Sequence, residues 1–212
     1  MESPFILLEV KNSRDSEETP TAMEQVFAAI GASAGHGSFL ARLFGPRHAP
    51  KYFSFELVSV NSRIHFFVGV PSHAQTYVES QLTAQYPKLL LAASADYAPH
   101  FLSLPHKAAQ LTFSNSFYYP LKTYKDVKDL DVLASILGQM AKLPTGEAAA
   151  VQFWITPAGH GWQQSASAVV ARGIPDLSST TGRTKTHPHA RLIETKIAQV
   201  GFHAAVRVIT VA

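Results

Sequence analysis

The stretch KYFSFELVSVNSRIHFFVGV, residues 51–70, decides the fold. Two runs rich in aromatic and β-branched residues flank Asn61 and Ser62, which is the pattern of a β-hairpin with a two-residue turn. Side chains alternate along the second run, so one face carries Ile64, Phe66, Val68 and Val70, and the other carries Arg63, His65 and Phe67. We expect Phe66 to be buried between this sheet and the helices that cover it.

A strand and a helix precede the hairpin. Residues 5–10 (FILLEV) form a nearly continuous apolar run, which is typical of a strand with neighbours on both sides. Apolar residues then recur at the spacing of one helical face, at Met23, Val26, Phe27 and Ile30. Residues 31–50 are rich in Gly, Ala and Pro and predict a long loop with a short helix around residues 39–44.

Both helices next to the hairpin carry start signals. The first begins either with a capping box of Thr21 and Glu24 or with Thr19 as the cap before Pro20. The second begins after the hairpin, where residues 72–75 (SHAQ) have capping-box spacing. Its buried ridge is predicted at Ala74, Val78, Leu82 and Tyr86.

A last short strand at residues 89–92 completes the order strand, helix, strand, strand, helix, strand. This order predicts an α+β fold of the split βαβ, ferredoxin-like kind, in which two helices cover one face of a four-stranded antiparallel sheet. We place this first module at residues 1–95.

The pattern restarts after a Pro- and His-rich stretch, which predicts a linker at residues 96–110 and a second module at residues 111–212. Strands are expected at residues 111–121, 148–156 and 202–211, with a helical and loop insertion around residues 158–190. Asp131 is expected to cap a helix buried through Val132, Leu133, Ile136, Leu137 and Met140. A later helix should turn Ala190, Ile193, Ile197 and Val200 inward. The second module is therefore predicted to be an incomplete ferredoxin-like unit, without its final helix and strand.

Composition excludes several classes of protein. Hydrophobic residues at 46% and charged residues at 16% predict a folded, globular chain of 212 residues. The balance of 18 Lys and Arg against 15 Asp and Glu gives a net charge of only +3, which is weak support for nucleic-acid binding. With no cysteine, disulfides and thiolate metal sites are excluded. No signal peptide or membrane span is apparent, so the cytoplasm is the default location.

Six segments carry a family resemblance: TPTAMEQVF, IHFFVGVP, YVESQLTAQYP, FYYPLKTYKD, VQFWITP and GFHAAVRVI. In this order they resemble the amino-terminal region of type IV secretion and conjugation-type DNA-translocating ATPases, the HerA/FtsK-like, coupling-protein-like proteins of candidate-phylum bacteria. The resemblance implies a non-catalytic assembly or regulatory domain, without a cofactor. No GxxxxGK[ST] loop is present, so ATP hydrolysis would belong to a separate or downstream motor domain.

The resemblance also implies partners and a location. The partners would be a second copy of the chain, the motor domain or other secretion-machinery proteins, with DNA contacted only indirectly and no direct insertion into a membrane. The location would be cytoplasmic, at the inner face of the membrane where partners hold the domain there.

A single-stranded nucleic-acid-binding module is the alternative function, because ferredoxin-like sheets also occur in RNA-recognition domains. The candidate contacts would be Arg183, Lys185, His65 and Phe67. The Gly-aromatic core of the RNA-recognition motif is missing, so packing of the strand aromatics against a second module is the more frequent explanation.

A His-dependent metal hydrolase is a distant third interpretation. His36 and His160 each lie in AGHG, and His187 and His189 flank a proline. HExxH and GxSxG are both absent, and Gly-flanked histidines usually lie in loops, so we expect no metal and no catalytic residue here.

Overall fold

The computed structural model describes residues 5–13, 15–35, 52–127, 131, 133–175 and 184–212, and not the side chains of residues 32–35. In chain order its strands are β1 Phe5–Lys11, β2 Phe53–Val60, β3 Arg63–Pro71, β4 Leu90–Ser94, β5 His106–Leu111, β6 Ala148–Pro157, β7 Ile174–Pro175, β8 Thr184–Lys185 and β9 Phe202–Val211. Its helices are α1 Pro20–Gly35, α2 Gln75–Gln85, α3 Ala98–Ser103, α4 Ala134–Met140, α5 Gly161–Arg172 and α6 Ala190–Ile197. Short 3₁₀ helices lie at Ser72–Ala74 and Tyr124–Asp126.

Seven strands form one sheet in the order β4-β1-β3-β2-β6-β9-β5, and every neighbouring pair is antiparallel. The short strands β7 and β8 pair separately. The predicted α+β class is therefore confirmed. The strands of the two predicted modules lie in one continuous sheet, because β2 pairs with β6 from Phe53 opposite Ile155 to Val60 opposite Ala148.

The hairpin is formed by β2 and β3, as predicted, and pairs Ser54 with Gly69 through Val60 with Arg63. Asn61 and Ser62 have positive φ angles of 51° and 59°. Two successive residues with positive φ are the signature of the type I′ turn, whose twist matches that of the two strands. The turn thus sets the strand register on which the rest of the sheet is built.

Helices α1 and α2 cover one face of the sheet, which we call the back face. The core there consists of Leu8, Val26, Ile30, Val68, Val70, Val78 and Leu82, with neighbours from β2 and β6. The helical face predicted around Val26 and Ile30 is confirmed, since both side chains are completely buried. Helix α1 begins at Pro20, and the Thr19 carbonyl accepts a hydrogen bond from the Ala22 N–H at 2.9 Å, so the alternative start applies.

The prediction that Phe66 is buried was wrong, because 43% of the side chain is exposed. Phe66 lies on the back face together with Val68 and Val70. The two valines belong to the core that α1 and α2 cover, and Phe66 does not. Alternation along a strand determines which face a side chain occupies, whereas cover depends on where the helices end.

The opposite face, which we call the front face, has its own core. Leu7, Val58, Phe67, Ala150 and Val211 from five strands pack there against Phe101. Phe101 lies in α3 and is 1% exposed. Helix α3 therefore covers part of the front face, and it lies within the predicted linker.

The strand predicted at residues 111–121 was wrong. The strand is β5, His106–Leu111, and residues 112–123 form no strand. All six residues of β5 are exposed, so its sequence HKAAQL carries no alternation of buried and exposed side chains from which it could be recognised.

The other expectations for the second half were met unevenly. Met140 and Ile193 are buried, and Asp131 Oδ1 accepts hydrogen bonds from the N–H groups just before and at the start of α4. Leu133 and Ile136 are 38% and 40% exposed, however, and Val200 is 49% exposed because it follows the end of α6. The predicted positions 39–44 and Val132 lie outside the described residues.

None of the helices among the described residues has both the length and the apolar character that a bilayer crossing requires.

Candidate functional site

A cleft of about 400 Å³ opens on the front face of the sheet. It lies where β1, β2 and β6 meet the segment that leads into α3. Its chemically distinctive walls are formed by Phe5, Tyr52, Glu56, Asp96, Gln152 and Trp154. This volume falls within the range of about 300–1,000 Å³ that is typical of small-molecule sites.

The pairing of β2 with β6 places the polar residues of the cleft side by side. Glu56 lies directly opposite Gln152, and Ser54 lies opposite Trp154. Residues two apart on a strand share a face, so these four side chains form a block on the front face. The sheet register, rather than a loop, therefore positions the site.

Gly69 makes room for the aromatic wall. A Cβ atom at this position would lie 2.2 Å from Ser54 Oγ and 2.5 Å from Phe5 Cε1. Only glycine therefore lets the Phe5 ring lie so close to the sheet. The Ser54 hydroxyl beneath it is buried, and no described residue offers it a hydrogen-bond partner.

Three aromatic rings form one wall of the cleft. The Phe5 and Trp154 rings are nearly parallel at 6.0 Å between centroids, and the Tyr52 ring contacts both at 4.9 Å and 4.6 Å. The Arg207 guanidinium lies 5.0 Å from the Trp154 ring centroid. Such cation–π contacts occupy ring faces that otherwise attract other cations.

The polar floor of the cleft is a hydrogen-bonded chain. Glu56 is 5% exposed, and its Oε2 accepts hydrogen bonds from the Tyr97 hydroxyl and from Gln152 Nε2, the latter at 3.1 Å. Gln152 Nε2 also donates to the Tyr97 oxygen at 2.8 Å, and Trp154 Nε1 donates to Gln152 Oε1 at 3.2 Å. Burial and then the neighbouring Glu56 carboxylate raise the pKa of Tyr97 far above its ordinary value. Tyr97 therefore remains a protonated donor to Glu56.

The charged groups of the cleft are acidic. Asp96 stands at its rim, where Oδ1 accepts a hydrogen bond from the Ala98 N–H at 2.8 Å and thereby fixes the start of α3. None of the ion pairs formed among the described residues includes Glu56. The arrangement offers carboxylate acceptors beside aromatic rings, which suits a ligand with positive charge.

Of the four predicted nucleic-acid contacts, the structure brings His65 and Phe67 together. His65 Nδ1 lies 2.8 Å from Glu9 Oε1, and the His65 ring stacks at 5.9 Å on Phe67. Phe67 is 8% exposed and packs against Tyr97, so its ring is covered. Lys185 is exposed in the separate β7–β8 pair, and Arg183 lies outside the described residues. Nucleic-acid binding by these four residues stays a prediction.

One of the histidines named for a metal site, His187, packs among aromatic rings. His187 is 6% exposed, contacts the rings of Tyr118, Tyr119 and His189, and accepts the His189 N–H at Nδ1. His160 Nδ1 lies 2.9 Å from Gln163 Oε1. In the part of the chain that the structure describes, no group of three His, Asp or Glu side chains could hold a metal ion. His36 lies outside that part.

Sequence reasoning missed Glu56, Gln152, Asp96 and Tyr97. A usable signal existed for the first two, since each is a long polar side chain within a mostly apolar strand, FSFELVSV and AAAVQFWITP. Such a residue must be hydrogen-bonded or functional, because burial of an unpaired polar group is costly.

A second exposed feature is the outer edge of β5. Among the described residues, fifteen large hydrophobic side chains are exposed, and seven of them lie between residues 102 and 124. They are Leu102, Leu104, Leu111, Phe113, Phe117, Leu121 and Tyr124. The edge of β5 that no described strand pairs with and this apolar stretch are thus adjacent in the chain.

One family model matches the chain, over residues 2–212, and its family is described as Domain of unknown function (DUF8128). No curated protein and no solved structure matches the chain.

Proposed function

Since the chain belongs to the DUF8128 family, whose description assigns no activity, we propose its role from its surfaces and its sequence resemblance. It serves as a non-catalytic assembly or regulatory domain of a conjugation or type IV secretion-like DNA-translocation ATPase, in the cytoplasm. ATP hydrolysis belongs to a separate motor domain. The observation that carries this proposal is the open edge of β5.

The edge of β5 offers backbone groups to a partner strand. The Ala212 N–H donates to the Pro105 carbonyl, and the register runs from His106 opposite Val211 to Leu111 opposite Val206. In an antiparallel ladder alternate residues bond inward, so the N–H and C=O groups of Ala108 and Gln110 point away from β9. An edge of this kind pairs readily with another strand.

The topology indicates which strand is missing from this edge. In the first half, the order β4-β1-β3-β2 with α1 and α2 as crossovers is the order of a ferredoxin-like unit. In the second half, β5-β9-β6 repeats the order β1-β3-β2, and no described strand takes beside β5 the place that β4 takes beside β1. We therefore propose two fused ferredoxin-like modules, the second of which receives its fourth strand from a partner.

We propose that a second copy of the chain is that partner. The alternative partners are the motor domain and another secretion-machinery protein. Sedimentation of the purified chain between about 1 µM and 100 µM should show concentration-dependent self-association. Ala108→Pro removes an outward N–H and should abolish association while leaving stability nearly unchanged, because proline is tolerated at outward positions of edge strands.

Ala109→Pro is the matched control, since the Ala109 N–H bonds inward to β9 and its loss should destabilise the fold. A chain that stays monomeric at 100 µM, or an Ala108→Pro variant that associates normally, contradicts the role proposed for β5.

Single-stranded nucleic-acid binding is the second candidate, favoured by the three rings of the cleft with Arg207 beside them. The Glu56 and Asp96 carboxylates in the same cleft oppose it, because they repel phosphate. Fluorescence anisotropy with a labelled oligothymidylate of about 20 nucleotides separates the two functions. We expect no salt-dependent binding; micromolar binding lost in a Trp154→Ala variant would favour the nucleic-acid module.

A further inference from the structure

We propose that the front-face cleft binds a small organic cation, an amine, guanidinium or quaternary ammonium compound. This site is independent of the edge of β5 and of the assembly role. Three observations carry it. They are the lack of an ion-pair partner for Glu56 among the described residues, the aromatic wall beside Glu56, and the size of the space between them.

Among the described residues, Glu56 has no cationic partner, although it is only 5% exposed. Its hydrogen bonds come from two neutral donors, Tyr97 and Gln152, and both converge on the single oxygen Oε2. A buried carboxylate without a counter-charge is costly, and a nearby cation offsets part of the cost that hydrogen bonds from neutral donors leave. A ligand cation that enters the cleft supplies that counter-charge, and Asp96 at the rim adds a second carboxylate.

Arg207 is a described cation on the same face of the sheet as Glu56. It lies in the same cross-sheet row as Glu56, but Gln152 stands between them in that row. Its guanidinium packs over Trp154 and forms no ion pair with Glu56 among the described contacts. Gln152 thus separates Arg207 from Glu56 and leaves the acidic side of the cleft to a ligand.

The aromatic wall makes the cleft suitable for an organic cation rather than a hydrated metal ion. Phe5, Tyr52 and Trp154 contact one another and line the same space as Glu56. Ring faces attract alkylated cations with low hydration, and the attraction grows when water is excluded. The volume of about 400 Å³ exceeds what a bare ion would fill and matches a small molecule.

The test compares cations with uncharged molecules of the same shape. Choline is paired with 3,3-dimethylbutan-1-ol, and phenethylamine is paired with 2-phenylethanol. Binding is followed by the indole N–H signal of Trp154 in ¹H–¹⁵N spectra, which is identified as the signal missing from a Trp154→Phe variant. We expect at least one cation to bind about tenfold or more tightly than its neutral partner.

Two variants connect the binding to the acidic groups. Glu56→Gln keeps the side-chain shape and should weaken binding of that cation at least about tenfold. Asp96→Asn keeps the Oδ1 acceptor for the Ala98 N–H, so α3 stays capped, and it should weaken binding about threefold. If Glu56→Gln fails to fold, the Asp96→Asn variant still tests whether the acidic groups contribute to cation binding. Glu9→Gln, on the same face but outside the cleft, is the control and should bind normally.

Several results overturn the proposal. Equal affinity for each cation and its neutral partner would show that the charge of the cleft is not used. No binding of either cation up to about 10 mM would show that the cleft is not a site for such cations. Unchanged affinity in both acidic variants would show that Glu56 and Asp96 do not contribute to binding. Binding of adenosine in the absence of amine binding would assign the rings to base stacking instead.

Discussion

Strands β1 and β5 hold equivalent positions in the two halves of the sheet, and their surroundings differ throughout. Strand β1 pairs on both sides, with β3 and β4, and buries Leu7 and Leu8 in cores on opposite faces. Among the strands that the structure describes, β5 pairs only with β9, and all six of its residues are exposed. The same strand order therefore gives a closed unit where a fourth strand is present, and an open edge where the described residues supply none.

The largest expected loss of unfolding free energy follows from removing a side chain that α3 covers on the front face. Phe67→Ala should cost about 3–5 kcal/mol, because the ring is 8% exposed and packs with Tyr97 and α3. Its neighbour Phe66 is 43% exposed, and Phe66→Ala should cost about 1 kcal/mol or less. Urea unfolding of both variants measures the two losses, and equal losses would contradict the cover by α3.

The direct test of the two equivalent strands uses a leucine in each. Leu8 in β1 is 1% exposed, so Leu8→Ala should lower the free energy of unfolding by about 2–5 kcal/mol. Leu111 in β5 is 60% exposed, and Leu111→Ala should change it by about 0.5 kcal/mol or less. Chemical denaturation at a concentration where the chain is monomeric gives both values. A large loss at Leu111 would mean that β5 is covered in solution.

A smaller effect is expected where the second half touches the hairpin. Ser59 is completely buried, and its hydroxyl donates to the Met140 carbonyl of α4 at 2.7 Å. Ser59→Ala should cost about 1–3 kcal/mol, because a buried carbonyl loses its donor. Ser62 makes a similar bond, to the Leu143 carbonyl at 3.2 Å, but is exposed, so Ser62→Gly should stay within about 0.5 kcal/mol. Calorimetry of the two variants compares them.

The smallest effect concerns the charged end of β1. A hydrogen bond from His65, and then one from Lys11, holds the pKa of Glu9 below its ordinary value. A depressed folded-state pKa stabilises the fold above the unfolded pKa, and the contribution is lost as pH falls through the folded one. Glu9→Gln should therefore cost up to about 1 kcal/mol near neutral pH, and this cost should fall towards zero as the pH is lowered through the folded-state pKa. Denaturation curves at several pH values measure this difference, and a cost that persists in acid would contradict it.

Local patterns predicted the parts of the fold that bury one face of a strand or helix. The hairpin around Asn61, the face of α1 around Val26 and the strand β9 all have periodic apolar residues, and the structure contains all three. Strand β5 was missed because an edge strand exposed on both faces has no such period. The pairing of β2 with β6 was also missed, because contacts between strands almost a hundred residues apart leave no local trace.

The cleft could not be predicted for the same reason. Glu56 and Gln152 are neighbours only through the pairing of β2 with β6, and Tyr97 joins them from a third part of the chain. Each residue alone resembles an isolated polar position in a strand or a loop. The candidate contacts Phe67 and His65 were chosen from strand alternation, which identified their face correctly but not the helix that covers Phe67.

The position of β9 between β6 and β5 has a consequence for synthesis on the ribosome. Strand β5 leaves the ribosome roughly 90 residues before the only described strand that pairs with it, an interval of several seconds at about 5–20 residues per second. During that interval both of its edges are without a partner, while β1 to β4 can already form their own sheet. Translation speed between residues 111 and 202 therefore sets how long a nascent chain exposes this strand to chaperones or to neighbouring chains on the same message.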